Sequence, residues 1–259
     1  MKTGLKGKVV LVTGGAGGIG SAISKTFAQQ GARVIIHYYT SKSEAEKLAR
    51  EIDGTAFGAD LTDYKQVELM FTDILENEDK IDICVANAGN YPKESAPLWT
   101  IGSDRWTNTI ASNLTLTYNT CREFLKHASE TKKGSLILVG STAGIFGEAG
   151  HADYAAAKGA ITSGFLKTLK NDIAQLGSGV RVNAVAPGWT VSQKKIKEGL
   201  DQKRVDRITS TMSMKKLAEP EDVANSIAVL ASDSLSGHIT GQVIEIAGGM
   251  EGRLVSGIK

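Results

Sequence analysis

Tyr154 and Lys158 stand four residues apart in the run Tyr154-Ala155-Ala156-Ala157-Lys158, a spacing that on a helix puts both side chains on one face. A free phenol, with a pKa near about 10, exchanges protons poorly at neutral pH. A fixed ammonium beside it stabilises the phenolate and brings the group toward the working range of a general acid or base. Upstream, Ser141 sits in Gly140-Ser141-Thr142-Ala143-Gly144, directly after the apolar run that ends at Gly140. A hydroxyl at the carboxyl end of a strand can hydrogen-bond a substrate carbonyl next to the phenol. Alone, the Tyr–Lys spacing also describes a solvated helix face; the serine gives it weight.

A second constellation opens the chain. Thr13-Gly14-Gly15-Ala16-Gly17-Gly18-Ile19-Gly20 follows the first apolar run and precedes a helical pattern. Glycines allow positive φ and close backbone approach, and the free N–H groups of a helix N-terminus favour phosphate charge, so the segment is a candidate dinucleotide site. Two registers fit: Gly15, Gly17 and Gly20, or the wider Gly14, Gly18 and Gly20. About 20 residues on, an NAD site carries an acid for the ribose hydroxyls. Here the chain reads His37-Tyr38-Tyr39-Thr40-Ser41-Lys42, without a carboxylate and with Lys42 as the nearest cation. That favours NADP(H) over NAD(H); the alternative is that Tyr38 and Tyr39 pack against the adenine and select nothing.

These groups need a scaffold, and its rhythm is visible. Strand-like runs fall at Val9–Thr13, Val34–Ile36, Thr55–Ala59, Ile81–Ala86, Ser135–Gly140, Val180–Val185 and Gln242–Ile246. Helical patterns separate them at Ile19–Gln30, Lys42–Glu51, Tyr64–Glu76, Asp104–Glu130, Asp153–Leu176 and Pro220–Ala231. Several runs are apolar throughout, as in strands covered on both faces. The expectation is an α/β fold: a single doubly wound Rossmann-type domain over residues 1–259, its parallel sheet of about seven strands covered by helices on both faces. Two excursions, Asn90–Ser103 and Gly188–Lys216, begin at carboxyl ends of strands, where ligands of such sheets bind. The longer one, residues 188–216, is the expected substrate loop, a tolerated surface insertion being the alternative.

In order and at matching spacing, Thr13–Gly20, Asp60-Leu61, Asn87-Ala88-Gly89, Asn113, Ser141, Tyr154–Lys158, Pro187-Gly188, Glu219–Ala224 and Ile239–Gln242 resemble the short-chain dehydrogenase/reductase family over essentially the whole chain. The resemblance is to single-domain members such as 3-oxoacyl-[acyl-carrier-protein] reductases and sugar dehydrogenases. It selects the wider register, so Gly14, Gly18, Ile19 and Gly20 become nucleotide contacts. It implies that Tyr154 is the general acid/base, that Lys158 lowers its pKa and binds the nicotinamide ribose, and that Ser141 polarises the substrate oxygen. It also implies that Asn113 holds a water linking Lys158 to solvent. Asp60 and Leu61 would contact adenine, Asn87, Ala88 and Gly89 would line the cofactor, and Pro187, Gly188 and Thr190 would lie along the nicotinamide. Family members are commonly homotetramers packed through the two long helices. Departures are Ala86 for the first Asn of Asn-Asn-Ala-Gly, Gly17 where many NADP-dependent members carry Arg, Thr190 where Val or Ile is common, and Ala247 before Gly248-Gly249.

The implied reaction interconverts a ketone and a secondary alcohol. Leading substrates are 3-oxoacyl groups on an acyl carrier protein and sugars or polyols. A cofactor-binding sensor or scaffold without catalysis is the alternative of another class. Composition bounds the rest. The 259 residues carry 30 Lys+Arg against 28 Asp+Glu, and a net charge of +2 argues against nucleic acid. No apolar run approaches a membrane span of about 20 residues, and no signal-like apolar core follows Met1, so a soluble cytoplasmic protein is expected. Cys84 and Cys121 lack paired-thiol spacing and read as buried small hydrophobes. His37, His127, His151 and His238 show no metal-ligand spacing. Ser141, His151 and Asp153 could spell a nucleophilic triad, but no Gly-x-Ser-x-Gly elbow surrounds the serine. Finally, Trp189–Lys216 holds eight basic residues against three acidic ones. A solvated helical lid explains that charge, as does attraction of an acidic carrier or phosphorylated substrate.

Overall fold

The computed structural model describes residues 2–191, 199 and 201–250. Seven parallel strands form one sheet, β1 (Val9–Val12), β2 (Arg33–Tyr38), β3 (Thr55–Gly58), β4 (Ile83–Ala86), β5 (Gly134–Val139), β6 (Val180–Pro187) and β7 (Val243–Ile246). Their spatial order is β3-β2-β1-β4-β5-β6-β7. The order reverses between β1 and β4, which creates the crevice where such folds bind ligands. This is the expected doubly wound, Rossmann-type α/β arrangement.

Alternation along each strand feeds two cores. Val9 and Leu11 join Leu136, Leu138, Phe71 and Phe124 on one face. Val10 and Val12 join Ile137, Val139, Ile23 and Phe27 on the other. Burial on both faces is why these strands are apolar throughout. Helices α1 (Gly18–Gln29) and α2 (Lys42–Ile52) follow the first two strands, and α3 (Tyr64–Glu78) follows β3. Asp63 starts α3 by accepting the Lys65 amide at 2.9 Å. Cys84 and Cys121 both lie in the first core, where burial pushes their thiols up.

The two long helices depart from expectation. The Asp104–Glu130 pattern is α4 (Ser103–Ile110), a π-helical turn at Ala111–Thr115, then α5 (Leu116–Thr131). The Asp153–Leu176 pattern is α7 (Ala152–Ala160), a π-helical turn at Ile161–Phe165, α8 (Leu166–Asp172) and a 3₁₀ turn at Ile173–Leu176. Between them, β5 leads into the short α6 (Thr142–Phe146). A π-turn inserts one residue into the helical repeat and turns the following side chains to a new face. Asn113 lies within the first of these turns. Beyond β6, residues 192–198 and 200 of the expected substrate loop lie outside the described residues. Its later part forms α9 (Gln202–Thr209), followed by α10 (Pro220–Ala231). Among the described residues no helix is long and apolar enough to cross a membrane.

Candidate active site

A cleft of about 790 Å³ opens at the carboxyl edge of the sheet, along β1, β4 and β5. Its first wall is the glycine-rich turn. Gly14 has φ +60, and a Cβ on Gly20 would collide with the Gly14 carbonyl. Gly17 starts α1 with no side-chain cap, and no acid stands in the first turn. The first N–H groups of α1 are therefore left for an anion, and the glycines permit its close approach. Thr13 and Asn87 tie this turn to the end of β4. Thr13 Oγ1 accepts both the Asn87 and Ala88 amides at 2.9 Å, and Asn87 Nδ2 donates to the Thr13 carbonyl at 2.9 Å. The residues present fit a dinucleotide.

The wall at the carboxyl ends of β2 and β3 contains His37, Tyr38, Tyr39, Thr40, Ser41, Asp60 and Leu61. Tyr39 is exposed. The Asp60 carboxylate accepts the Thr62 amide and hydroxyl at 2.8 and 2.7 Å, while the cap of α3 is Asp63. Lys42 lies on the solvent side, 3.7 Å from Glu46, and does not line the cleft.

The opposite wall carries the acid–base groups. Ser141 is the N-cap of α6, its Oγ accepting the Ala143 amide at 3.2 Å. The Ser141 side chain also works to lower the Tyr154 pKa, and both residues line the cleft. Gly144 and Gly159 bring α6 and α7 backbone to backbone, with no room for a Cβ on Gly144, and so hold the serine beside the phenol. Lys158 is buried one turn along α7, with Nζ donating to the Val139 carbonyl at 2.9 Å and lying 5.8 Å from the Tyr154 ring centre. Burial lowers its pKa to about 8. Tyr154 is raised, chiefly by burial; the Ser141 hydrogen bond works against this, and the Glu148 charge adds to it. The sequence led us to expect an ammonium that lowers the phenol. Instead burial dominates at the phenol, while Lys158 is itself buried and turned toward the Val139 carbonyl.

Asn113 is fully buried within the π-turn at Ala111–Thr115. Its Nδ2 donates to the Asn90 and Thr109 carbonyls at 2.9 and 3.0 Å, and its Oδ1 accepts the Asn90 amide at 3.2 Å. A Cβ on Gly89 would lie 2.8 Å from Asn113 Oδ1 and 3.2 Å from Lys158 Nζ, so this glycine lets the two approach. Asp153, immediately before the phenol, is held by Arg105 at 3.0 and 3.3 Å and by Thr109 at 2.8 Å. His151 instead meets Pro92 and Tyr91. Ser141, His151 and Asp153 thus do not assemble as a triad.

Gly14, Gly18, Ile19, Gly20, Asn87, Ala88, Gly89, Asn113, Ser141, Tyr154, Lys158, Pro187 and Gly188 all line this cleft. Thr190 does not. It pairs with Ala218 in an isolated bridge, and its hydroxyl donates to the Gly188 carbonyl at 3.0 Å. Ser192 lies outside the described residues. Tyr91 was not legible as a site residue. It lines the cleft, stacks on His151 with ring centres 4.6 Å apart, meets the Tyr154 ring edge-on at 5.0 Å, and donates to Glu148 at 2.6 Å. Its position next to Asn87-Ala88-Gly89 was the available signal.

A family model described as enoyl-(acyl carrier protein) reductase matches residues 14–251. The chain is 35% identical over 251 residues to the 3-oxoacyl-[acyl-carrier-protein] reductase FabG of Thermotoga maritima, covering 95% of this chain and 98% of that protein. It is 32% identical over 248 residues to the protein of the same name from Vibrio cholerae serotype O1, covering 95% and 98%. The Staphylococcus epidermidis protein of that name is likewise 32% identical over 248 residues, covering 94% and 98%.

Proposed function

Since the chain belongs to the short-chain dehydrogenase/reductase family and is an oxidoreductase acting on CH–OH groups, we propose that it is an NADPH-dependent 3-oxoacyl-[acyl-carrier-protein] reductase, working as one catalytic domain. The observation that carries this reading is that Ser141, Tyr154 and buried Lys158 line one cleft with the glycine-rich turn. Two O–H groups in one cleft can both donate to an oxygen with two lone pairs.

A nicotinamide nucleotide, when bound, supplies the hydride. Ser141 and Tyr154 hold the substrate oxygen in place, and their hydroxyls offset the negative charge that develops there. As the carbonyl carbon gains hydride, the C=O π pair moves onto oxygen and takes the Tyr154 hydroxyl proton. Lys158 stabilises the phenolate left behind and is positioned to bind the nicotinamide ribose. Asn113, held beside Lys158, is the proposed water-holding link toward solvent. The Gly14–Gly20 turn takes the pyrophosphate, while Asp60 and Leu61 flank the adenine.

NADPH is favoured because residues 37–42 carry no carboxylate, and because Thr40 and Ser41 line the wall at the N-terminus of α2. An acidic carrier suits the exposed Lys203 and Arg207, four apart on α9. The working compartment we propose is the reducing cytoplasm, which suits two buried free thiols. A sugar or polyol substrate is the second reading, favoured by the polar Tyr91–Glu148–His151 edge beside Tyr154.

The test is a panel of 3-oxoacyl, trans-2-enoyl and sugar substrates with NADPH and NADH. Turnover of the 3-oxoacyl thioester with NADPH is expected, and Tyr154→Phe should lose at least about 10³-fold in kcat while still binding cofactor. Preferential reduction of the enoyl thioester, or tight NADPH binding without any turnover, overturns the proposal.

A further inference from the structure

His37 is nearly inaccessible at 2% exposure, yet it belongs to neither the acid–base set nor the glycine motif. It is the penultimate residue of β2, which lies between β1 and β3. Its Nδ1 accepts the Gly14 amide at 3.1 Å. Its Nε2 lies 3.0 Å from the Ala59 carbonyl. A carbonyl can only accept, so Nε2 carries the proton and Nδ1 the lone pair. Both ring nitrogens are thereby committed in one neutral tautomer. The backbone acts in concert: the His37 carbonyl accepts the Gly15 amide at 3.0 Å.

The two ends of this bridge belong to different parts of the cleft. Gly14 sits at φ +60 in the phosphate turn, while Ala59 precedes Asp60 and Leu61 on the adenine side. One imidazole therefore sets the distance between the two surfaces that a dinucleotide must touch at once. It also engages the Gly14 amide in the left-handed turn, while the Gly15 and Gly17 amides are taken by the His37 and Gly14 carbonyls, which leaves the first amides of α1 for an anion.

We propose that His37 is a positioning residue for cofactor binding, holding the phosphate turn in register with the adenine-side segment. The proposal rests on the dinucleotide reading of the cleft. Ligand affinity depends on both surfaces being preorganised, whereas the reacting carbonyl meets Ser141 and Tyr154 on a separate wall. Loss of the bridge should therefore be read in cofactor affinity and not in the chemical step.

The experiment measures NADPH affinity by nucleotide fluorescence, with thermal melting alongside, for wild type, His37→Leu, His37→Asn and a core control, Phe124→Leu. His37→Leu removes both bonds and is expected to weaken NADPH about tenfold. With acetoacetyl-N-acetylcysteamine, kcat at saturating NADPH and the thioester KM should stay within about twofold. His37→Asn keeps an acceptor for Gly14 and should recover most of the affinity. Phe124→Leu should lower the melting temperature and leave affinity unchanged. If His37→Leu does not fold, His37→Ala is judged by the same criterion. A His37 variant that melts early but binds NADPH like wild type overturns the proposal, since the residue is then only structural. Wild-type protein that binds neither NADPH nor NADH overturns the dinucleotide reading itself.

Discussion

Tyr154 and Lys158 are both withdrawn from water, and burial moves their pKa values apart, the phenol's up and the ammonium's down to about 8. The phenol keeps its proton more firmly, and the ammonium releases its own near pH 8. A neutral phenol is the form that donates during ketone reduction; alcohol oxidation needs the phenolate. Glu148 is the outlying charge that holds the phenol up. Glu148→Gln removes that repulsion and lowers the phenol pKa, so the rising limb of the pH profile for alcohol oxidation should move to lower pH. An unchanged limb, measured as kcat/KM against pH in the oxidative direction, would mean that Glu148 does not act on the proton transfer. At this scale the sequence was informative where a motif is contiguous, as in Tyr154–Lys158 and Thr13–Gly20. It was silent about Arg105 on Asp153, His37 on Gly14, and Tyr91 on His151. Each of those contacts joins residues far apart in sequence and exists only after the strands align.

Elements position these side chains through two devices, close backbone packing and a shift in helical repeat. Gly144 against Gly159 lets the α6 N-cap serine meet the α7 tyrosine. In Gly144→Ala the new methyl would enter the Lys158–Gly159 backbone, forcing α6 and α7 apart. The expected result is a loss of about 10²-fold in kcat/KM, since a misplacement of about 1 Å costs that much, with NADPH affinity nearly unchanged. Unaltered kcat/KM in that variant would show that the helices tolerate separation. Strand and helix existence was readable because hydrophobic periodicity is written within short windows. The π-turns were not, because a single inserted residue hardly disturbs the periodicity that identifies a helix, and one of them holds Asn113, buried beside Gly89.

Across the whole molecule, exposed apolar surface gathers on one helical stretch. Trp106 on α4 and Tyr118 on α5 stay exposed at 40% and 45%, and Trp99 just before them at 88%. Exposed aromatics grouped along one helical pair are what a subunit interface would cover. A homotetramer packed through the two long helical stretches, α4–α5 and α7–α8, would cover them, and Trp106→Glu with Tyr118→Glu should then yield a smaller species by light scattering after size exclusion. A wild-type mass equal to the 27.4 kDa chain would remove the idea. The sheet order itself was legible in kind, since strand–helix alternation dictates parallel pairing. The position of the β1/β4 reversal depends on which strands find each other as neighbours, and spacing alone does not encode that.

The chain has two cysteines, and both thiols are closed off in the interior, at 0% and 1% exposure. Its outer surface is consequently silent to maleimide and iodoacetamide chemistry without any prior removal of native cysteine. A single cysteine introduced at Lys203 would carry a fluorophore to one defined place on α9. Such a reporter could follow the approach of an acyl carrier in real time, independently of whether the substrate it brings is turned over.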